Sequence, residues 1–370
     1  MKKTLKRLLA GMLVLAFICQ FIPAKQVKAA EEEINVNQTY SYTLTKDPKM
    51  LKFTAPEDGV FTVDAVINSD DGRTFEMFLF DSDGHELVEH LYGTNQLQKL
   101  STTEYATKGG RSFYVKLVIP SLEGITKDVT FTVNFTDSNE WENELNDSAD
   151  AACKLENGKV KYGVITKDES EDFYTFKVDK TSKVVLEFGP KTISGNYEYW
   201  TVEILNDDGE SHQLYGGSVS AVSKETVYLK KGTYFLKVKY YISSRYVPYK
   251  ISYKAENFAV KQPTVSKVTV KKNTLWNYYF IDAIKMKGNG DVNGFTVQAA
   301  ANKKLKSKLV NRDINVKAGV VGKKKISTKE EVYNFNIESN KNCYVRVRGY
   351  VTDPFGKNIY GKYSKVKSSK

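Results

Sequence analysis

Apolar and polar residues alternate along this chain with a period of two. Runs at 40–44, 51–55, 59–65, 75–80, 112–119 and 129–135 each put apolar side chains on one face, the pattern of half-buried strands. A second set lies at 160–165, 173–178, 183–188, 200–205, 225–229, 233–241 and 249–254. A third lies at 267–271, 278–285, 294–299, 331–337, 343–350 and 363–366. Asp83–Gly84, Asp208–Gly209 and Lys231–Gly232 mark turns between them, because glycine accepts a positive φ. Helical periodicity is almost absent. Its best candidate is a single turn at 148–153, starting from a Ser or Asp cap. Residues 137–149 are polar and acidic without a period and read as a linker. These patterns predict an all-β protein of antiparallel sandwiches.

The first two sets repeat each other. Phe53 and Phe176, Gly84 and Gly209, and Gly110 and Gly232 occupy matching places, 122 to 125 residues apart. Three landmarks at one period indicate a duplicated module. Four segments follow: 1–29, 30–137, 138–258 and 263–370.

The first segment reads as a secretory signal. Lys2, Lys3, Lys6 and Arg7 precede an apolar stretch from Leu8 to Ile22, and Val27–Lys28–Ala29 fits a small-residue cleavage site. The apolar run is too short to favour a retained membrane anchor, so no transmembrane anchor is expected in the mature chain. Cys153 and Cys343 fall in different predicted modules, so the fold is not expected to rely on disulfides. The 24 Tyr and 19 Phe favour strands.

Charge divides the chain further. Residues 30–137 carry 9 basic and 18 acidic side chains, 138–262 carry 17 and 19, and 263–370 carry 23 and 7. A basic end on an exported chain points to an anionic polymer outside the cell, not to nucleic acid.

Two resemblances extend this reading. Glu142–Asn143–Glu144–Leu145–Asn146–Asp147–Ser148, Glu171–Asp172–Phe173–Tyr174–Thr175–Phe176, Asp207–Asp208–Gly209 and Lys231–Gly232–Thr233–Tyr234–Phe235 resemble the bacterial pre-peptidase C-terminal domain. Residues 30–137 look like a divergent copy that lacks the acidic opening. The resemblance implies jelly-roll-like β-sandwiches that act as non-catalytic appendages of secreted enzymes. The collagen-binding domains of clostridial collagenases are similar. Residues 263–370 resemble the fibronectin type III-like modules of Gram-positive surface proteins. The residues are Gly294–Phe295–Thr296–Val297–Gln298, Cys343–Tyr344–Val345–Arg346–Val347–Arg348 and Tyr360–Gly361–Lys362–Tyr363. The expected fold is therefore all-β, with two jelly-roll-like β-sandwich domains and a C-terminal fibronectin type III-like β-sandwich.

Candidate chemistry is of two kinds. Glu142, Glu144, Asn146 and Asp147 place four oxygen-bearing side chains within six residues, and Asp168 and Asp172 lie in a nearby loop. Hard cations take several oxygen ligands at once, and some relatives of the resembled domain bind Ca2+ through this segment, so Ca2+ is the expected ion. The plainer alternative is a solvated acidic linker. At the basic end, Lys303, Lys304, Lys306, Lys323, Lys324, Lys325, Arg346 and Arg348 are the candidate contacts to a cell-wall anionic polymer. The turn acids Asp81, Asp83, Asp207 and Asp208 read as turn formers, and His85 and His212 as exposed loop residues. No zinc-protease or nucleophile-elbow motif occurs, and Cys343 sits in a strand pattern, so no catalytic residue is expected. The expectation is a secreted, non-catalytic protein associated with the cell wall. Its sandwiches would bind an extracellular protein or polysaccharide. The alternative is an accessory subunit of a secreted hydrolase carried on another chain.

Overall fold

The computed structural model describes residues 31–67, 75–87, 91–93, 99–119, 126–166, 170–192, 198–219, 221–240, 246–287, 290–315, 325–327, 336–338 and 341–370. Among them the fold is all-β, with one 3-10 turn at Ala149–Ala151 as its only regular helix. No described helix is long and apolar enough to cross a membrane. The chain divides into two compact units. One ends at Asp137; the other comprises Ser138–Lys370 with the short piece Glu104–Thr107.

The first unit is a sandwich. One sheet runs, in spatial order, Glu31–Glu33, Lys49–Thr54, Ser112–Val118, Phe75–Asp81 and Leu91–Gly93. The facing sheet runs Thr39–Leu44, Lys127–Asp137, Gly59–Ile67 and Lys99–Ser101. Gly59–Ile67 alternates buried and half-buried residues along its whole length, as the period-two pattern requires. Its Phe61 closes on Phe53 and Phe113 of the other sheet, with ring centroids 4.8 to 5.3 Å apart.

The second unit opens with the same plan. One sheet runs Cys153–Lys154, Glu171–Val178, Gly232–Tyr240, Glu198–Asn206 and Ser211–Val219. The other runs Val160–Gly163, Tyr249–Asn257, Ser182–Pro190 and Ser223–Leu229. The order of these strands matches that of the strands named in the first sandwich, down to a parallel pair at the same edge: Glu31–Glu33 beside Lys49–Thr54, and Cys153–Lys154 beside Glu171–Val178. The sequence reading lacked Ser211–Val219. Gly216 and Gly217 interrupt its alternation, and a bulge at Val202/Glu203 shifts its register. His212 accordingly lies on an exposed strand rather than in a loop.

One turn recurs three times. Asp81 Oδ1 accepts the N–H groups of Asp83 and His85, Asn206 Oδ1 those of Asp208 and Glu210, and Asp353 Oδ1 those of Phe355 and Lys357. The fourth residue is glycine each time, with φ of 87° at Gly84, 78° at Gly209 and 78° at Gly356. Space is open around Gly209, so the backbone alone restricts it. Gly209→Ala is expected to cost about 1 kcal/mol in urea unfolding. An unchanged midpoint would show that the turn tolerates a side chain.

Beyond residue 263, Thr264–Asn273, Tyr278–Lys287 and Lys325–Ser327 form one sheet. Lys308–Asn315, Gly294–Ala300, Tyr344–Thr352 and Asn358–Tyr360 form the other, and Lys367–Ser368 also pairs with Tyr344–Thr352. Ile281, Ile284 and Met286 from the first meet Phe295, Val297, Val345 and Val347 from the second in one core. Lys308–Asn315 is a strand that the sequence reading lacked; the basic loop expected at 302–308 ends where it begins. Lys308, Asn311, Arg312 and Asp313 are exposed and Val310 is its one fully buried apolar residue, so the pattern is thin. The strand expected at 331–337 lies outside the described residues except at its end, where Ile337 is buried. Val260, Val351 and Ile359 form a cluster against Tyr228 and Phe258 that joins this sandwich to the preceding one. Lys183 pairs with Asp291 at 3.3 Å beside it.

Candidate functional site

The acidic segment is not a solvated linker. Glu142, Glu144 and Asn146 are 1%, 5% and 0% exposed. Trp141 forms a parallel bridge to Tyr162, and backbone bonds run from Tyr162 N–H to the Glu140 carbonyl and from Glu142 N–H to the Tyr162 carbonyl. Farther along, Phe173 N–H donates to the Asn146 carbonyl. The segment therefore lies as a strap along the second sandwich. Lys161 Nζ holds it by donating to the carbonyls of Asn139 and Trp141 at 2.6 and 2.9 Å.

Burial of this polar strap is possible because donors wait for it. Glu142 Oε1 accepts the Val164 N–H at 2.7 Å. Its Oε2 accepts the Tyr174 hydroxyl and Asn146 Nδ2 at 3.1 Å, and the Tyr249 hydroxyl oxygen lies 3.4 Å from it. Tyr249 also donates to Asp172 Oδ2, and its oxygen lies 2.7 Å from that of Tyr174. Burial, and then the charges of Glu142 and Asp172, push both phenols far above their ordinary range, so each stays a donor. Gly163 is required beside them, because a Cβ there would collide with both hydroxyls and with Glu142. The sequence reading placed Gly163 within the expected strand at 160–165 and among the residues that resemble the pre-peptidase C-terminal domain. Its neighbours across the core could not be read from spacing.

The remaining acidic candidates are distributed around this network. Asn146 Oδ1 is buried with no hydrogen-bond partner among the described residues. Asp172 is fully buried and Asp147 is exposed. Partial burial, and then the charge of Glu171, raise the Asp147 carboxyl above its ordinary value. Asp168 lies outside the described residues.

The basic candidates separate into groups. Arg346 and Arg348 lie two residues apart on Tyr344–Thr352, opposite Gln298 and Thr296. Arg346 Nε donates to Gln298 Oε1 at 2.9 Å, and Arg348 Nε to Thr296 Oγ1 at 3.4 Å. Arg346 lies 4.1 Å from the Tyr363 ring centroid, and Arg348 lies 3.6 Å from that of Tyr360 and 4.6 Å from that of Tyr363. The two guanidinium planes and two rings thus alternate in a stack, and neither arginine has an ion pair among the described residues. Lys303, Lys304 and Lys306 are exposed on the loop that follows Ala300, at the Tyr344 end of the same sheet. Buried Leu305 and the Asn302 side chain, bonded to the Lys306 backbone, order that loop. Lys325 pairs instead with Lys285 in the opposite sheet, and Lys323 and Lys324 lie outside the described residues. Tyr360 and Tyr363 entered the sequence reading only as part of the resemblance at 360–363, not as partners of the arginines. The spacing Tyr360–x–x–Tyr363 gives no sign of which strand the rings will cover.

Other features have structural explanations. Asp81, Asp83 and His85 bring ligand-type atoms within 4.8 Å of one another, but this is the glycine turn described above, with Asp83 and His85 exposed. Cys153 and Cys343 are free and buried. Tyr249 is a core residue.

No family model and no curated protein matches the chain. Solved structures give partial likenesses. The pre-peptidase C-terminal domain of collagenase from Bacillus anthracis is 12% identical over 28% of this chain and 94% of its own, with a TM-score of 0.23. The N-terminal CBM22-1–CBM22-2 tandem of Xyn10C from Paenibacillus barcinonensis is 11% identical over 56% of this chain and 82% of its own, with a TM-score of 0.19. The CUB1–EGF–CUB2 domains of rat MASP-1 are 11% identical over 60% of this chain and 99% of their own, also with a TM-score of 0.19. At these scores the likenesses carry no functional argument.

Proposed function

We propose that this is a secreted, non-catalytic binding protein of the cell surface. In this reading its fibronectin type III-like C-terminal sandwich contacts an anionic wall polymer, and the two preceding sandwiches engage an extracellular protein or glycan. The observation that carries it is the Arg346–Tyr363–Arg348–Tyr360 stack. Stacking and the bonds at Nε hold each guanidinium in place, and the remaining N–H groups form the planar fork that suits phosphate and carboxylate. The exposed lysines of the 301–307 loop add charge at one end of the same sheet. Glu142 and Asp172, the most deeply buried acids near the strap, are engaged by tyrosine hydroxyls within a core, an arrangement that serves structure rather than turnover.

The test is sedimentation of the chain with purified Gram-positive cell walls across a salt series. Pelleting at low salt and release by added salt are expected. A chain that stays in solution at low salt would overturn the wall-polymer reading.

The strap has the donor chemistry for Ca2+. Glu144, Asn146, Asp147 and Asp172 carry the hard oxygen atoms, and the buried Asn146 Oδ1 is a carbonyl-type donor of the kind such sites use; the three carboxylates are not gathered within 4.8 Å of one another, so an ion there would have to draw them together. Bound there, the ion would supply positive charge to a region of excess carboxylate. Calcium added to chelator-treated protein is expected to stabilise it by about 2.7 kcal/mol at a hundredfold excess over Kd. A thermal midpoint unmoved by calcium, relative to magnesium, would remove the ion from this account.

A further inference from the structure

The largest exposed apolar side chains among the described residues are neighbours. Leu275 is 83% exposed and Trp276 is 65% exposed. They form the apex of the hairpin between Thr264–Asn273 and Tyr278–Lys287, at the end of the C-terminal sandwich. Elsewhere among the described residues of this sandwich leucines and aromatics are buried or half-buried, apart from Tyr360, whose ring is covered by Arg348, so the core has no use for this pair.

The apex is also ordered. Asn273 Oδ1 accepts the N–H groups of Leu275 and Trp276 at 3.1 and 3.2 Å, and Asn273 Nδ2 reaches the Tyr278 hydroxyl at 3.2 Å. Asn277 takes the left-handed conformation that closes the turn, with φ of 51°. Below the apex the register pairs Asn273 with Tyr278, Lys272 with Tyr279 and Lys271 with Phe280. Lys272 is exposed and has no ion pair among the described residues, whereas Lys271 is 3.3 Å from Asp282.

We propose that this hairpin apex inserts into the interfacial region of a lipid bilayer that carries anionic headgroups. Three observations favour lipid over a protein groove. The two apex N–H groups are already bonded within the turn, so entry into an apolar phase leaves neither without a partner. Tyr278 and Tyr279 sit just behind the apolar pair, where aromatic rings with a polar tip occupy the headgroup level. Lys271 and Lys272 lie three to four residues behind the apex, roughly 10 Å at strand rise. Interfacial elements reach about 5–10 Å into the bilayer, so the lysine heads meet phosphates while the apex meets acyl chains. The excess of 23 basic over 7 acidic residues in 263–370 draws the same sandwich toward an anionic surface.

The protein supplies its own reporter. Trp141 and Trp200 are 5% and 1% exposed, so Trp276 is the one tryptophan open to solvent. The full chain is mixed with phosphatidylcholine vesicles and with vesicles containing about a third phosphatidylglycerol. With the anionic vesicles, co-sedimentation, a blue shift of tryptophan emission and at least a threefold loss of acrylamide quenching are expected. Leu275→Ser/Trp276→Ser should abolish sedimentation, while Trp276→Phe should keep it. Both variants lie on an exposed apex, and unchanged circular dichroism confirms folding. Two results overturn the proposal. In one, Trp276 stays as quencher-accessible with vesicles as in buffer, which leaves the apex to a protein partner. In the other, the double serine variant sediments as well as the unaltered chain, which means that charge alone carries adsorption.

Discussion

Glu142→Ala is expected to destabilise the second unit by about 3–5 kcal/mol. The wild-type carboxylate receives the Val164 N–H, the Tyr174 hydroxyl and Asn146 Nδ2, all in a site that water does not reach. Alanine removes the acceptor and leaves those donors in place, and each buried donor without a partner costs about 1–3 kcal/mol. The loss should appear as a lower urea midpoint, followed by the fluorescence of buried Trp141 and Trp200. Glu142→Gln separates charge from shape. It keeps an oxygen for Val164 and reverses the bond with Tyr174, so it should cost about half as much. A loss below 1 kcal/mol for the alanine variant would mean that the strap does not depend on this network.

Arg346→Ala/Arg348→Ala is expected to weaken low-salt binding to cell walls by about 10- to 100-fold per arginine removed. That range is the factor set by about 1.5–3 kcal/mol for a charge-assisted hydrogen bond. Each guanidinium is held by a ring and a side-chain acceptor, so little rotamer freedom remains to be lost on binding. The Lys/Lys double variant keeps both charges but loses the planar fork. It should recover part of the binding and keep its salt dependence. If alanine at both positions leaves wall binding and its salt dependence unchanged, the stack is a structural feature of the sheet. Binding would then rest on the 301–307 lysines.

Much of the fold was legible because it follows from local pattern. Period-two alternation located the strands that carry the cores, and the spacing of Phe53, Gly84 and Gly110 against Phe176, Gly209 and Gly232 disclosed the duplication. The matching strand orders extend that duplication to topology, including the parallel pair at the edge. Strands failed to show where their pattern is weak. Ser211–Val219 is an edge strand broken by two glycines, and Lys308–Asn315 pairs through its backbone while its side chains are mostly polar.

The sites were legible only as residue types. Glu142, Asn146 and Asp172 stood out as oxygen donors, and Arg346 and Arg348 as cations sharing one strand face. Their partners are distant in the chain. Tyr174 and Tyr249 reach Glu142 from 32 and 107 residues away. The sequence alone determined an all-β chain with a repeated module, an acidic segment between modules and a basic end, because periodicity, turn chemistry and charge are local properties. Tertiary structure decided that the strap is buried, that the arginines are stacked on tyrosines, and that Leu275 and Trp276 are left outside. Those outcomes depend on which distant side chains packing brings into contact.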